Sequence, residues 1–136
     1  MKKTLSNLLY WSTILLMIGY FAYSKGWIFA NFNSLDAQEA LAQLQKNPQA
    51  ILLDVRTPQE YQQAHLKGAI LFPLSTIEKD TSTLKNAKNR PLFVYCHSGN
   101  RSVTASRILG NEGFKVFNIR GGIIALKEAH APLQRP

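Results

Sequence analysis

The chain has 136 residues, 46% of them hydrophobic, a formal net charge of +8 and a single cysteine. That length holds one domain of about 100 residues plus an appendage, and a lone cysteine excludes an internal disulfide framework. From Asn31 onward, 13 Lys and Arg stand against 8 Asp and Glu, a net +5 without runs or interleaved aromatics. This excludes a nucleic-acid partner and leaves a weak general field that helps draw in small anions.

The apolar residues are unevenly placed. Residues 4–24 carry no charge and are flanked by Lys2, Lys3 and Lys25. As a helix this stretch spans ~31 Å, close to the hydrocarbon thickness of a bilayer. Tyr10 and Trp11 lie toward one end, and Tyr20, Tyr23 and Trp27 toward the other, as interfacial aromatics do. A cleaved signal peptide is the rival reading, with Ile28-Phe29-Ala30 as a passable cleavage site. The apolar stretch is long for a signal, so the expectation is a retained transmembrane helix over 4–24. Residues 1–3 then form a cytoplasmic N-terminus, 25–31 a tether and 32–136 the globular domain. Two lysines and the terminal amine before the span, against Lys25 after it, predict that the domain lies outside the cytoplasm, which in a Gram-negative cell would be the periplasm.

Ser34 or Asp36 can cap a helix over 37–45, with Leu35, Leu41 and Leu44 on its apolar side and Asn47-Pro48 ending it. The continuous apolar run 50–55 predicts a buried parallel strand. Thr57-Pro58 opens the next helix, with Glu60 completing a capping box. Gly68 breaks that unit before a short strand at 69–72, and the polar stretch 75–89 reads as a short helix and a loop. Strand 91–95 follows, then a helix over 102–109 ended by 110–113, a last strand at 115–119 and a final helix over 123–129. Strands alternating with helices imply an α/β fold: a mostly parallel sheet of four or five strands with helices on both faces.

Cys96 lies at the mouth of the strand-loop-helix turn Cys96-His97-Ser98-Gly99-Asn100-Arg101, followed by Ser102. In parallel α/β sheets, ligands bind just beyond the carboxyl ends of strands. Gly99 lets the backbone bend, a tight loop turns successive amides inward, and the next helix adds its positive end. These effects favour the thiolate, which is the nucleophile. The alternative is an inert buried thiol, and the polar neighbours of Cys96 argue against it.

Cys-x-x-Gly-x-Arg-Ser resembles the active-site loop of rhodaneses, the thiosulfate sulfurtransferase family. Leu53-Asp54-Val55-Arg56, Glu60-Tyr61, His65, Gly68-Ala69, Pro73 and Gly121-Gly122-Ile123 resemble further pieces of that family in its order, from about residue 32 to 133. Leu126 stands where many members carry Trp. The resemblance implies a rhodanese-like sheet and a reaction in which Cys96 takes the sulfane sulfur of thiosulfate or a related donor. An acceptor thiol or cyanide then removes it from a Cys96 persulfide. The loop residues His97, Ser98, Gly99, Asn100 and Arg101 would bind substrate, and neither metal nor cofactor is implied.

Within that frame, Arg101 meets a donor sulfonate or pairs with a carboxylate. His97 assists protonation or points to water. Asp54 and Arg56 line the edge of the site or tie two loops together. His65 fixes the turn before Gly68, and Gly121-Gly122 permits close approach to the active loop. Cysteine phosphatases use Cys-x5-Arg, which would require Arg where Ser102 stands, so sulfur transfer is preferred to dephosphorylation. The alternative to an enzyme is a non-catalytic or sulfur-presenting module that binds a membrane partner.

Overall fold

A computed structural model describes residues 1–136. The uncharged N-terminal stretch is one helix, α1 (Lys2–Ser24), none of whose side chains is buried. It is long and apolar enough to cross a membrane, a test that a signal sequence also passes. Residues Met1–Ala30 form one unit and Asn31–Pro136 the second.

In the second unit, β1 (Asn33–Leu35) leads into α2 (Ala37–Lys46), whose first turn is capped by Asp36 accepting from the Glu39 amide at 2.8 Å. Then follow β2 (Ile51–Asp54), α3 (Pro58–Gln63), β3 (His65–Leu66), β4 (Ile70–Leu71) and α4 (Leu74–Lys79). A 3-10 turn (Ser82–Ala87) precedes β5 (Leu92–Tyr95), α5 (Asn100–Asn111), β6 (Val116–Ile119), α6 (Gly122–Glu128) and β7 (Leu133–Gln134). Five strands make one sheet in the order β1-β6-β5-β2-β4, every pairing parallel. β3 and β7 form a separate antiparallel pair.

Both faces of the sheet are covered, which is why β2 and β5 read as unbroken apolar runs. Leu52, Phe93, Tyr95 and Ile119 pack with Ala40 of α2 and with Ile123 and Leu126 of α6. Leu53, Val94, Cys96 and Val116 pack on the other side with Ile77 of α4 and with Ala105 and Leu109 of α5. Leu126 is fully buried, so it fills its site in the core without an aromatic ring. β5 is the middle strand, so the residue that follows it emerges at the centre of the sheet's C-terminal edge.

Three elements depart from the sequence reading. β1 and the β3–β7 pair are too short to carry a pattern and exist only through pairing with distant strands. Helix α5 begins at Asn100, inside the loop, with Gly99 (φ +112°) at its N-cap turning the chain through a left-handed conformation that glycine allows. Gly110 lies within α5 rather than ending it. A Cβ there would stand 2.8 Å from Asn31, whose side-chain amide donates to the Arg107 carbonyl at 3.1 Å and to Asn111 Oδ1 at 2.6 Å.

Candidate active site

Cys96 follows β5 directly and is 1% exposed. Its side chain turns to the α5 side of the sheet, where the first turn of that helix faces it. The Gly99 amide donates to Sγ at 3.0 Å, closing the loop upon the sulfur. The Ser102 hydroxyl lies 3.5 Å from Sγ and donates to the Gly99 carbonyl at 3.2 Å. A thiol proton can point to Ser102 Oγ, and a thiolate would draw the Ser102 proton to itself. Ser102 thus belongs to the sulfur's environment. Only its place one turn into the helix, beside the loop, could have revealed that role.

The double glycine closes the loop from the other side. The Ile123 amide donates to the Cys96 carbonyl at 2.8 Å, and the Ile124 amide to that of His97 at 3.4 Å. A Cβ at Gly99 would lie 3.4 Å from the Gly121 amide nitrogen. Close approach between these two segments was expected, and the geometry shows how little room there is. His97, Ser98 and Asn100 form the exposed rim of the loop.

Arg101 takes the second of its two expected placements. Its two terminal nitrogens fork onto Glu60 at 2.6 and 2.9 Å. Glu60 also accepts from the Thr57 amide, so the capping box of α3 supplies the carboxylate that grips the active loop. Hydrogen bonding to Arg101 is the main cause that pulls the Glu60 carboxyl from 4.5 down to about 2. The Arg101 guanidinium is pushed up correspondingly, chiefly by Glu60. These partners are 41 residues apart, and nothing local in the sequence announces the pair.

Asp54 and Arg56 form a brace beneath the site rather than an open edge. Both are buried, with Arg56 Nε and a terminal nitrogen on Asp54 at 2.9 and 2.7 Å. Arg56 also donates to the Ala64 carbonyl at 2.7 Å. The Tyr95 hydroxyl donates to Asp54 Oδ2 at 2.8 Å and accepts from the Leu66 amide at 3.0 Å. Burial and then the Asp54 charge push the Tyr95 hydroxyl far above its ordinary value, so it stays protonated and bridges the two. The residue just before the cysteine is therefore locked to β2 and β3. His65 stacks on Tyr61 with ring centroids 3.7 Å apart, and its Nδ1 lies 2.8 Å from the Tyr61 carbonyl, fixing the turn before Gly68.

A parallel five-stranded sheet, with a cysteine loop at its central C-terminal edge clasped by a second glycine turn, defines an α/β domain of rhodanese architecture. The comparisons agree. The rhodanese-like domain profile matches residues 36–129, and the chain belongs to that family. A sulfurtransferase of Allochromatium vinosum is 33% identical over 105 residues, covering 76% of this chain and 96% of that protein. The thiosulfate sulfurtransferase PspE of Escherichia coli is 38% identical over 71 residues, 52% of this chain and 68% of that protein. The crystal structure of a thiosulfate sulfurtransferase from Pseudomonas aeruginosa superposes with a TM-score of 0.73 at 26% identity. It covers 85% of this chain but only 22% of the longer protein. Family and relatives together support a sulfur-transfer role.

Proposed function

We propose that this chain is a rhodanese-type sulfurtransferase that moves a sulfane sulfur from thiosulfate or a related donor to a thiol or cyanide. The observation that carries the reading is the Gly99 amide directed at Cys96 Sγ from 3.0 Å. A donor aimed at sulfur, at the head of α5, is placed to support negative charge that develops there during sulfur transfer. The thiolate attacks the outer sulfur of thiosulfate, the S–S bond breaks, and sulfite leaves with the bonding pair. The acceptor's thiolate or cyanide then attacks the terminal persulfide sulfur and returns Cys96 as thiolate, giving ping-pong turnover. With Cys96 only 1% exposed, the loop admits a small atom presented end-on, which suits a sulfane sulfur better than a bulky group.

The N-terminal helix, in this reading, is a retained anchor with the catalytic domain on the extracytoplasmic side. The charges flanking α1 support that orientation.

The test is anaerobic incubation of the protein with thiosulfate, followed by intact mass and sulfite assay. A mass gain of one sulfur atom with matching sulfite, both lost in Cys96→Ser, is expected. Sulfur loading without subsequent transfer to any acceptor would favour the sulfur-presenting module, and no loading at all would end the sulfurtransferase reading.

A further inference from the structure

Three arginines lie at the C-terminal edge of the sheet, where the cysteine loop opens, and two of them are occupied. Arg56 is buried and bound to Asp54 and the Ala64 carbonyl. Arg101, the cation inside the loop itself, is forked onto Glu60. A guanidinium already holding a carboxylate presents a neutral pair to an arriving anion, and displacing that carboxylate costs the anion much of its own binding. The third is Arg120.

Arg120 immediately follows β6, the neighbour of the cysteine-bearing strand. Its backbone is pinned by donation of its amide to the Leu35 carbonyl at 2.9 Å. The next residue, Gly121 (φ +76°), is the one whose nitrogen would lie 3.4 Å from a Cβ at Gly99. Two residues further on, Ile123 bonds the Cys96 carbonyl. Arg120 is thus fixed one residue from the contact between the glycine turn and the active loop. Its side chain is exposed and takes part in neither ion pair.

We propose that Arg120, and not Arg101, is the residue that recognises the charged end of an oxyanion-tailed sulfur donor such as a thiosulfonate or thiosulfate. The proposal rests on the sulfurtransferase reading and adds its specificity determinant. Thiosulfate carries its negative oxygens on the sulfur that leaves. The binding cation therefore belongs outside the loop, while the Gly99 amide faces the sulfur of Cys96. A planar guanidinium free of a carboxylate suits a three-oxygen headgroup. Glu60 and Arg101 are left to hold the loop in shape.

The experiment uses the full-length protein in detergent. Thiosulfate binding is measured by calorimetry on a Cys96→Ser background, which cannot take up sulfur. Arg120→Gln should weaken that binding by about tenfold or more, the loss of a charge-assisted hydrogen bond, while Arg120→Lys should retain most of it. With Cys96 present, Arg120→Gln should raise KM for thiosulfate with little change in kcat. An alkyl persulfide lacking a sulfonate should be used as well as before. Unchanged thiosulfate binding, absence of binding on the parent background, or equal loss with both donors would overturn the assignment. Failure of the parent enzyme to load sulfur would instead sink the sulfurtransferase reading, and the calorimetry would still decide on Arg120.

Discussion

Gly122 stands so close to Cys96 that a Cβ there would lie 2.4 Å from the Cys96 carbonyl oxygen, and 2.5 Å from that of His97. With φ at +59°, the position also demands a backbone that side-chain-bearing residues rarely adopt. The glycine turn is therefore one wall of the active loop. Its amides hold the carbonyls of the loop, which leaves the Gly99 amide facing inward to the sulfur.

Gly122→Ala should accordingly damage both stability and activity. The strained backbone costs about 1–3 kcal/mol, and relief of the clash must push the Cys96 and His97 carbonyls away from the turn. Urea unfolding together with persulfide formation measures both effects. A variant with parental stability and parental sulfur loading would show that the turn is not part of the loop's support.

Tyr95→Phe probes the brace on the other side of the cysteine. The change deletes the hydroxyl that bridges Asp54 and Leu66, and the buried Leu66 amide is left without its acceptor. A loss of about 1–3 kcal/mol is expected, the cost of an unsatisfied buried group. It should appear as a lower urea midpoint at unchanged slope. No shift in the midpoint would mean that the amide finds another partner.

The cysteine loop, the buried strands and the capping box at Thr57 were legible because each is local. Cys96 through Ser102 is one contiguous turn, and Thr57 to Glu60 spans a single helical turn. What the sequence left open lies in pairings across long separations. Glu60 could be read as a cap but not as the partner of Arg101. The choice for Asp54 and Arg56 between site edge and brace depended on Tyr95, which comes in from the neighbouring strand. Gly110 reads as a helix stop until Asn31 is seen to occupy the space beside it. β1 has only three residues, and its identity as a strand comes from β6.

The Glu60–Arg101 pair predicts a pH dependence of stability. The Glu60 carboxyl sits at about 2 in the folded chain, against an ordinary 4.5. A carboxyl lowered by folding contributes fully above its unfolded value, and the contribution fades as pH falls from about 4.5 toward 2. Both side chains are about one-third exposed, so solvent screening holds the effect to about 1 kcal/mol. Compared with Glu60→Gln in urea titrations, the parent should be more stable near neutral pH, and the gap should narrow steadily below about pH 4.5. A gap that is constant with pH would assign the benefit of Glu60 to its cap on α3 instead of its charge. Arg101→Ala should show the same lost pH dependence, and should impair all sulfur donors alike because it loosens the loop rather than one binding contact.

The orientation of the chain rests on few charges, which makes it sharply testable. Lys2 and Lys3 precede the uncharged stretch, and only Lys25 follows it before Lys46. Positive residues remain on the cytoplasmic side, so the sulfurtransferase domain should be exported. In an oxidising compartment Cys96 has no second cysteine in the chain to pair with, so a thiol or persulfide there can persist. Alkaline phosphatase, active only outside the cytoplasm, fused after Pro136 should be active, and a fluorescent protein that matures only inside should be dark in the same position. The reverse pattern would overturn the orientation. Removing the excess by Lys2→Asn and Lys3→Asn should reduce the phosphatase signal, because Lys25 then opposes export with neither lysine against it. Fractionation of the untagged chain completes the test. Recovery with the membrane at full length fits a retained α1, whereas a soluble product beginning near Asn31 would show that the helix is a cleaved signal.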